Sequence, residues 1–427
     1  MRRIAFLPVL LIAWGVIGPA ARAGDRAPVD LPTLLSELER ASPKLLALRA
    51  RADAAATVAP QRSSLPDPKL SASYTNDGLS SFTLGDSEFA NLTVGWEQEV
   101  PGKTVRNRAA AVAEAEEATL RASAASVQAA QRASVIESYA QLWRLDRIRP
   151  LLAESRALLE TAAQAAQARY ESGEGSQEGL IRAQSAVRRV DLELAELSLA
   201  RRQAEIALGA AVGRRDDAEF GETGELPEVV GSIDGIRLAE GIQESSPDVL
   251  EATAKVRGAE TSLDDARVQV RPTYSWLAAY QFRGGLDPMV MGGFSVRLPV
   301  WKNGKQQRAV EGAELSRIAA EHEREDAIVR ARARARELAA EISSIDVRAR
   351  LYREALVPQA LAAYESAKAA FESGRAEMFL VLDDLERWTR ARSDEITLKA
   401  KRVAAIASLE AVSGTPLLAL SAPGESR

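Results

Sequence analysis

The chain has 427 residues, 27% of them charged, with a formal net charge of −5. One histidine and no cysteine leave no disulfide framework, thiolate metal site, cysteine nucleophile or acylated N-terminal cysteine. The near balance of acids and bases also argues against nucleic acid as a partner, which favours a basic surface.

Arg2 and Arg3 precede an apolar run from Ile4 to Ile17, Pro19 interrupts it, and Ala21-Arg22-Ala23 places small residues where a signal peptidase reads. This order predicts a cleaved secretory signal over 1–23. The run is too short to cross a bilayer of about 30 Å as a helix. No later stretch is long enough either, so a membrane crossing would need strands of about 9–11 residues each.

From Gly24 the chain reads as two repeats, 24–230 and 231–427. The first predicts a helix over about 33–63, strands over about 68–76 and 89–100, and helices over about 103–172 and 176–212. The second predicts a helix over about 236–270, strands over about 273–283 and 291–300, and helices over about 305–373 and 376–413. Landmarks carry the duplication, offset by about 200 residues. Ser42-Pro43 recurs as Ser246-Pro247, Tyr170-Glu171-Ser172-Gly173 as Phe371-Glu372-Ser373-Gly374, and Leu208 with Gly213 as Leu409 with Gly414.

The helical stretches are rich in Ala, Leu, Glu, Arg and Gln, all strong helix formers. A helix of some 70 residues is about 100 Å long, with Pro150 and Pro358 expected to kink or break the two longest. The strands alternate with period two. Leu70, Ala72 and Tyr74 share one face, as do Leu92, Val94 and Trp96. Tyr274, Trp276, Tyr280 and Phe282 do the same, followed by Phe294 and Val296. Tyr74, Trp96, Tyr274, Trp276, Tyr280, Phe282 and Phe294 are therefore candidates for a membrane-facing aromatic girdle. Four strands cannot close a barrel, and an open edge in lipid leaves its amides unpaired. Pooling strands from three copies gives a barrel of about 12 strands; the alternative is two hairpins on a soluble helical scaffold.

No catalytic constellation stands out. Gly102-Lys103-Thr104 matches the end of a phosphate-binding loop, but the glycine that motif requires earlier falls at Glu97. His322 lies among Glu321, Glu323 and Glu325 and reads as a solvated surface residue. Met289 and Met291 read as loop residues, since soft-metal sites need more donors. No enzyme, cofactor or bound metal is expected.

The duplicated halves, the hairpin between helices in each, and the paired long helices together resemble the TolC family of outer-membrane efflux proteins. Leu65-Pro66-Asp67-Pro68-Lys69-Leu70, Gln98-Glu99-Val100-Pro101-Gly102-Lys103 and the segment from Tyr364 to Thr415 are similar to its CzcC-like heavy-metal-efflux branch. The resemblance implies a mainly α fold with long antiparallel helical hairpins forming a periplasmic tube. It also implies four transmembrane β-strands per protomer, pooled as a 12-stranded barrel in a homotrimer in the outer membrane. The partners it implies are outer-membrane lipid, a periplasmic adaptor and an inner-membrane pump of the resistance-nodulation-division type. Tyr170, Gly173, Phe371 and Gly374 match the adaptor-contacting tip, and Asp383 a pore-gate position. The other gate position holds Leu380, with Asp384 as a nearby acid. The implied activity is passive conduction of cargo, heavy-metal cations by branch, with drugs or other organic solutes as the alternative.

Overall fold

The computed structural model describes residues 28–214, 219–230 and 233–419. The signal segment expected over 1–23 lies outside the described residues. The first repeat contains α1 (Leu31–Ala41), α2 (Pro43–Ala56), α3 (Val58–Ser63), β1 (Lys69–Thr75), β2 (Asn91–Val100), α4 (Lys103–Glu171) and α5 (Gln177–Val212), followed by a short β3 (Glu228–Val229). The second contains α6 (Gly235–Ser245), α7 (Pro247–Val268), β4 (Thr273–Arg283), β5 (Leu286–Arg297), α8 (Gln307–Leu351), α9 (Val357–Glu372), α10 (Met378–Ser413) and β6 (Leu418–Ala419). Both halves run helices, hairpin, long helix, return helix, which is the duplication legible in the landmarks.

Four departures from the expected layout have local causes. The helices expected over about 33–63 and 236–270 are each broken, at Ser42-Pro43 and Ser246-Pro247. Proline pushes the residue before it out of the helical region, and Ser42 and Ser246 adopt extended ψ of 115° and 124°. Each Pro then opens the next helix, where its missing N–H costs nothing. The third departure concerns the long helices. α4 runs unbroken through Pro150, whereas a π-helical turn at Tyr352–Leu356 separates α8 from α9 just ahead of Pro358. Finally, β5 starts at Leu286, so Met289 and Met291 are strand residues and not loop residues. Pro288 falls where the β4–β5 register shifts between Gln281 and Arg283, an irregularity that tolerates a missing N–H.

The Ser-Pro breaks and the closing glycines of each repeat turn out to be one feature. Gly213 and Gly414 end α5 and α10 in the left-handed region, at φ 94° and 70°. Gly213 lies against Ser42 and Pro43, and Gly414 against Ser245 and Pro247. A side chain at either site would meet both a strained backbone and its packed neighbour.

The long helices form a layer in which α5 packs on α4, α4 on α10, and α10 on α8 and α9. Its main core gathers Leu34, Leu38, Tyr139, Leu142, Leu208, Ile242, Ile406 and Leu409, all buried. A second core runs toward the helical turns through Ile148, Leu159, Val187, Phe371 and Leu385. The hairpins of the two repeats join in one antiparallel sheet ordered β1-β2-β4-β5, with β2 and β4 bridging the halves. β1 and β5 are its outer strands. No described helix is long and apolar enough to cross a membrane.

Candidate functional site

The sheet is the first candidate region. Residues directly opposite each other across antiparallel strands share a face. The register pairs Tyr74 with Leu92, Val94 with Tyr280, Trp96 with Ala278, Trp276 with Phe294 and Tyr274 with Val296. All seven girdle candidates therefore lie on one face, and they are 39% to 56% exposed. Tyr274 stacks on Phe294 with ring centroids 5.8 Å apart, and Trp276 meets the same ring tilted at 5.1 Å. From Tyr274 to Phe282 the apolar band runs about 26 Å along the strand. The opposite face carries Ser71, Ser73, Thr93, Glu97, Glu99, Ser275, Gln281, Ser295 and Arg297. There Arg297 donates to Glu99 at 3.0 Å.

The second region is the end of the helical layer. Gly173 and Gly374 take φ of 79° and 75°, which lets each chain reverse. Gly175 N–H donates to the Arg169 carbonyl and Arg375 N–H to the Ala370 carbonyl, both at 2.8 Å. Tyr170 and Phe371 occupy equivalent repeat positions but not equivalent surroundings. Tyr170 is 44% exposed and Phe371 only 9%. The Arg169 guanidinium covers the Phe371 ring at 4.1 Å and donates to the Phe371 carbonyl at 2.7 Å. Phe371 thus clasps the two hairpins together, and what it presents outward is Arg169.

Just beyond, a groove of about 390 Å³ opens between α4, α5 and α10, with Ile148, Leu152, Phe379, Asp383 and Glu386 in its lining. Asp383 is partly exposed and pairs with Arg387 at 2.8 Å. Asp384, one residue on, is buried, with Arg387 3.6 Å away. Consecutive residues on a helix point about 100° apart, so Asp383 lines the groove while Asp384 turns inward, with Arg387 near both. Leu380, at the other gate position, is exposed. Arg189 of α5 reaches Glu386 of α10 at 3.1 Å, a second tie between the hairpins.

The sequence reading missed Arg169, Arg189, Glu386 and Arg387. Only the Asp383–Arg387 pair carried a local signal, its i,i+4 spacing; Arg169 and Phe371 are 202 residues apart. His322 is exposed, its Nδ1 3.2 Å from Glu325 Oε2. Among the described residues no cluster of three or more histidine or carboxylate side chains could hold a metal.

A family model described as outer membrane efflux protein matches residues 34–214 and 238–415, one segment in each repeat. Solved structures share the fold across nearly the whole chain. VceC of Vibrio cholerae aligns at 19% identity and a TM-score of 0.73, covering 90% of this chain and 96% of its own. CmeC of Campylobacter jejuni aligns at 13% and 0.75, covering 95% and 94%. The open state of MtrE from Neisseria gonorrhoeae aligns at 15% and 0.75, covering 96% and 95%. No curated protein matches the chain in sequence.

Proposed function

The chain belongs to the outer membrane efflux protein family, and from that premise we propose that it works as a homotrimeric exit duct for heavy-metal cations. As a member of that family it is a passive outer-membrane channel with a helical tube in the periplasm, and not an enzyme. The observation that carries the trimer is a pair of unsatisfied borders. β1 and β5 end the sheet on opposite sides, and an unpaired edge cannot remain in lipid. Pairing β5 of one copy with β1 of the next continues the ladder, and three copies close about 12 strands around an aqueous lumen.

The helical layer repeats this logic. Its border helix α5 exposes Leu192, Leu199 and Ile206 at seven-residue spacing, and α8 on the other border exposes Leu315, Ile318 and Val329. Two different apolar borders favour a head-to-tail ring. In that ring the aromatic face of the sheet meets outer-membrane lipid and the polar face lines the lumen.

At the other end, Tyr170, Gly173 and Gly374 present the surface for a periplasmic adaptor, with Arg169 standing in front of Phe371. The adaptor would connect the duct to an inner-membrane pump of the resistance-nodulation-division type. Asp383 supplies one acidic ring to the lumen, while the burial of Asp384 suits it to support of the helix. The heavy-metal cargo rests on the branch motifs around Pro66, Pro101 and Phe371; selectivity would reside in the pump. Light scattering of the detergent-purified mature chain tests the assembly. A protein mass near three protomers is expected, with potassium conductance in a planar bilayer; a non-conducting monomer overturns the proposal.

A further inference from the structure

We propose that Met289 and Met291 form a binding site for a soft monovalent cation, Cu(I) or Ag(I), on the lumen wall of the barrel. The inference rests on the trimeric channel reading for its orientation and on the strand register for its residues. Two of the chain's four methionines fall within three residues of β5. Met291 pairs with Ala279 and Met289 with Gln281. Both therefore lie on the face that carries Ser71, Thr93, Ser295 and Arg297, opposite the aromatic girdle.

Apart from Leu277, that face is otherwise polar or small, so a pair of neighbouring thioethers stands out on it. Met378 shows the contrasting case, buried in the helical core. Met289 and Met291 are instead 52% and 42% exposed. The surroundings leave them room. Across the sheet Met291 shares a row with Ala279, Gly95 and Ser71, none of which reaches far from the backbone.

Residues i and i+2 of a strand lie about 7 Å apart on one face. Two flexible thioether side chains can span that gap and bring both sulfurs to one ion. Neutral thioethers suit Cu(I) and Ag(I), which accept two-coordinate ligation where other soft-metal centres need more donors, and they bind hard divalent ions poorly because they offer no carboxylate oxygen. Three copies place three such pairs at one height in the lumen. Weak, repeated binding of this kind lets an ion enter and leave a pore.

Silver provides the test, in potassium nitrate so that no chloride precipitates it. Calorimetry on the purified trimer is expected to find about one Ag(I) per protomer, with affinity unchanged between pH 5 and 8 because thioethers do not titrate. Silver is also expected to reduce single-channel conductance. The double variant Met289→Leu, Met291→Leu keeps size and apolarity. It should retain trimer mass and potassium conductance while its silver affinity falls by about tenfold or more. Equal silver binding by variant and wild type, or none by wild type, overturns the site and leaves the channel standing. A wild type without trimer or conductance sinks both.

Discussion

The helical shaft and the strand sheet bury opposite things. The shaft hides many of its large apolar residues, Leu38, Tyr139, Leu142, Leu208 and Ile406 among them, and leaves most of its charge outside. The sheet exposes Trp96, Trp276, Tyr280, Phe282 and Phe294 on one face and mostly polar or small residues on the other. A face that would be a defect in water is a requirement in hydrocarbon. One region thus carries a buried core of its own, whereas the other exposes an apolar face that lipid covers in the proposed channel. The same chain needs both because it must span a membrane and still hold a rod upright beneath it.

Substitutions that ignore this contrast should cost most. Leu142→Ala opens a cavity in the shaft core and is expected to destabilise the protein by about 2–5 kcal/mol. Thermal unfolding followed by the helical signal would register it, and an unchanged midpoint would mean the shaft has no core of its own. In the sheet, Ala278 sits in the central row of the aromatic face. Ala278→Arg there should cost about 2–4 kcal/mol in a bilayer. Ser275→Arg, on the other face, should leave insertion intact and change ion selectivity. If Ser275→Arg blocks insertion into vesicles and Ala278→Arg does not, the two faces have been exchanged.

Much of this contrast was legible in the chain itself. The alternation of Leu92, Val94 and Trp96 with Thr93, Gly95 and Glu97 already separates the faces, because strand geometry converts order directly into orientation. The repeat landmarks were legible too, but not that Ser42-Pro43 breaks a helix in order to receive Gly213. That reason lies in a contact between segments some 170 residues apart. The start of β5 is hidden in the sequence because Pro288 and the glycines near it imitate a loop, and the irregular register between Gln281 and Arg283 accommodates them. At the tip, identical motif positions gave Tyr170 and Phe371 the same expected role. Arg169 separates them, and no local pattern links it to Phe371. Asp383 and Asp384 look interchangeable in sequence, yet one faces a groove and the other the core.

The shaft also buries a charge, and this offers a milder test of its self-sufficiency. Glu395 is buried and receives Arg392 at 2.7 Å and Lys399 at 3.1 Å. Burial alone would raise its pKa, but the hydrogen bond and charge of Lys399, with those of Arg392, outweigh it and hold the carboxyl below its ordinary value. A carboxyl lowered in this way stabilises the fold above its unfolded pKa and loses that contribution as pH falls through the folded one. Glu395→Gln should therefore cost about 1–2 kcal/mol at neutral pH. The difference from wild type should close as pH drops below about 4. A gap that stays constant with pH would show that the cost comes from shape and not from charge.

The smallest expected effect on stability falls at Asp383, and it separates the part of the shaft that holds the fold from the part proposed to face the pore. Its partner Arg387 is largely exposed, and such pairs contribute at most about 1 kcal/mol. Asp383→Ala should thus leave the melting transition nearly unchanged. A ring of three carboxylates in a narrow lumen would nonetheless attract cations and hold divalent ions, so the same substitution should raise the leak of a closed channel and weaken its block by divalent cations. Arg387→Ala should act in reverse: removing the guanidinium 2.8 Å from each carboxylate unmasks the ring and strengthens both cation selectivity and divalent block. Opposite shifts from the two variants would assign the acid to the lumen. Unchanged conductance in both would return it to the commoner role of an acid in an exposed i,i+4 helical ion pair with Arg387.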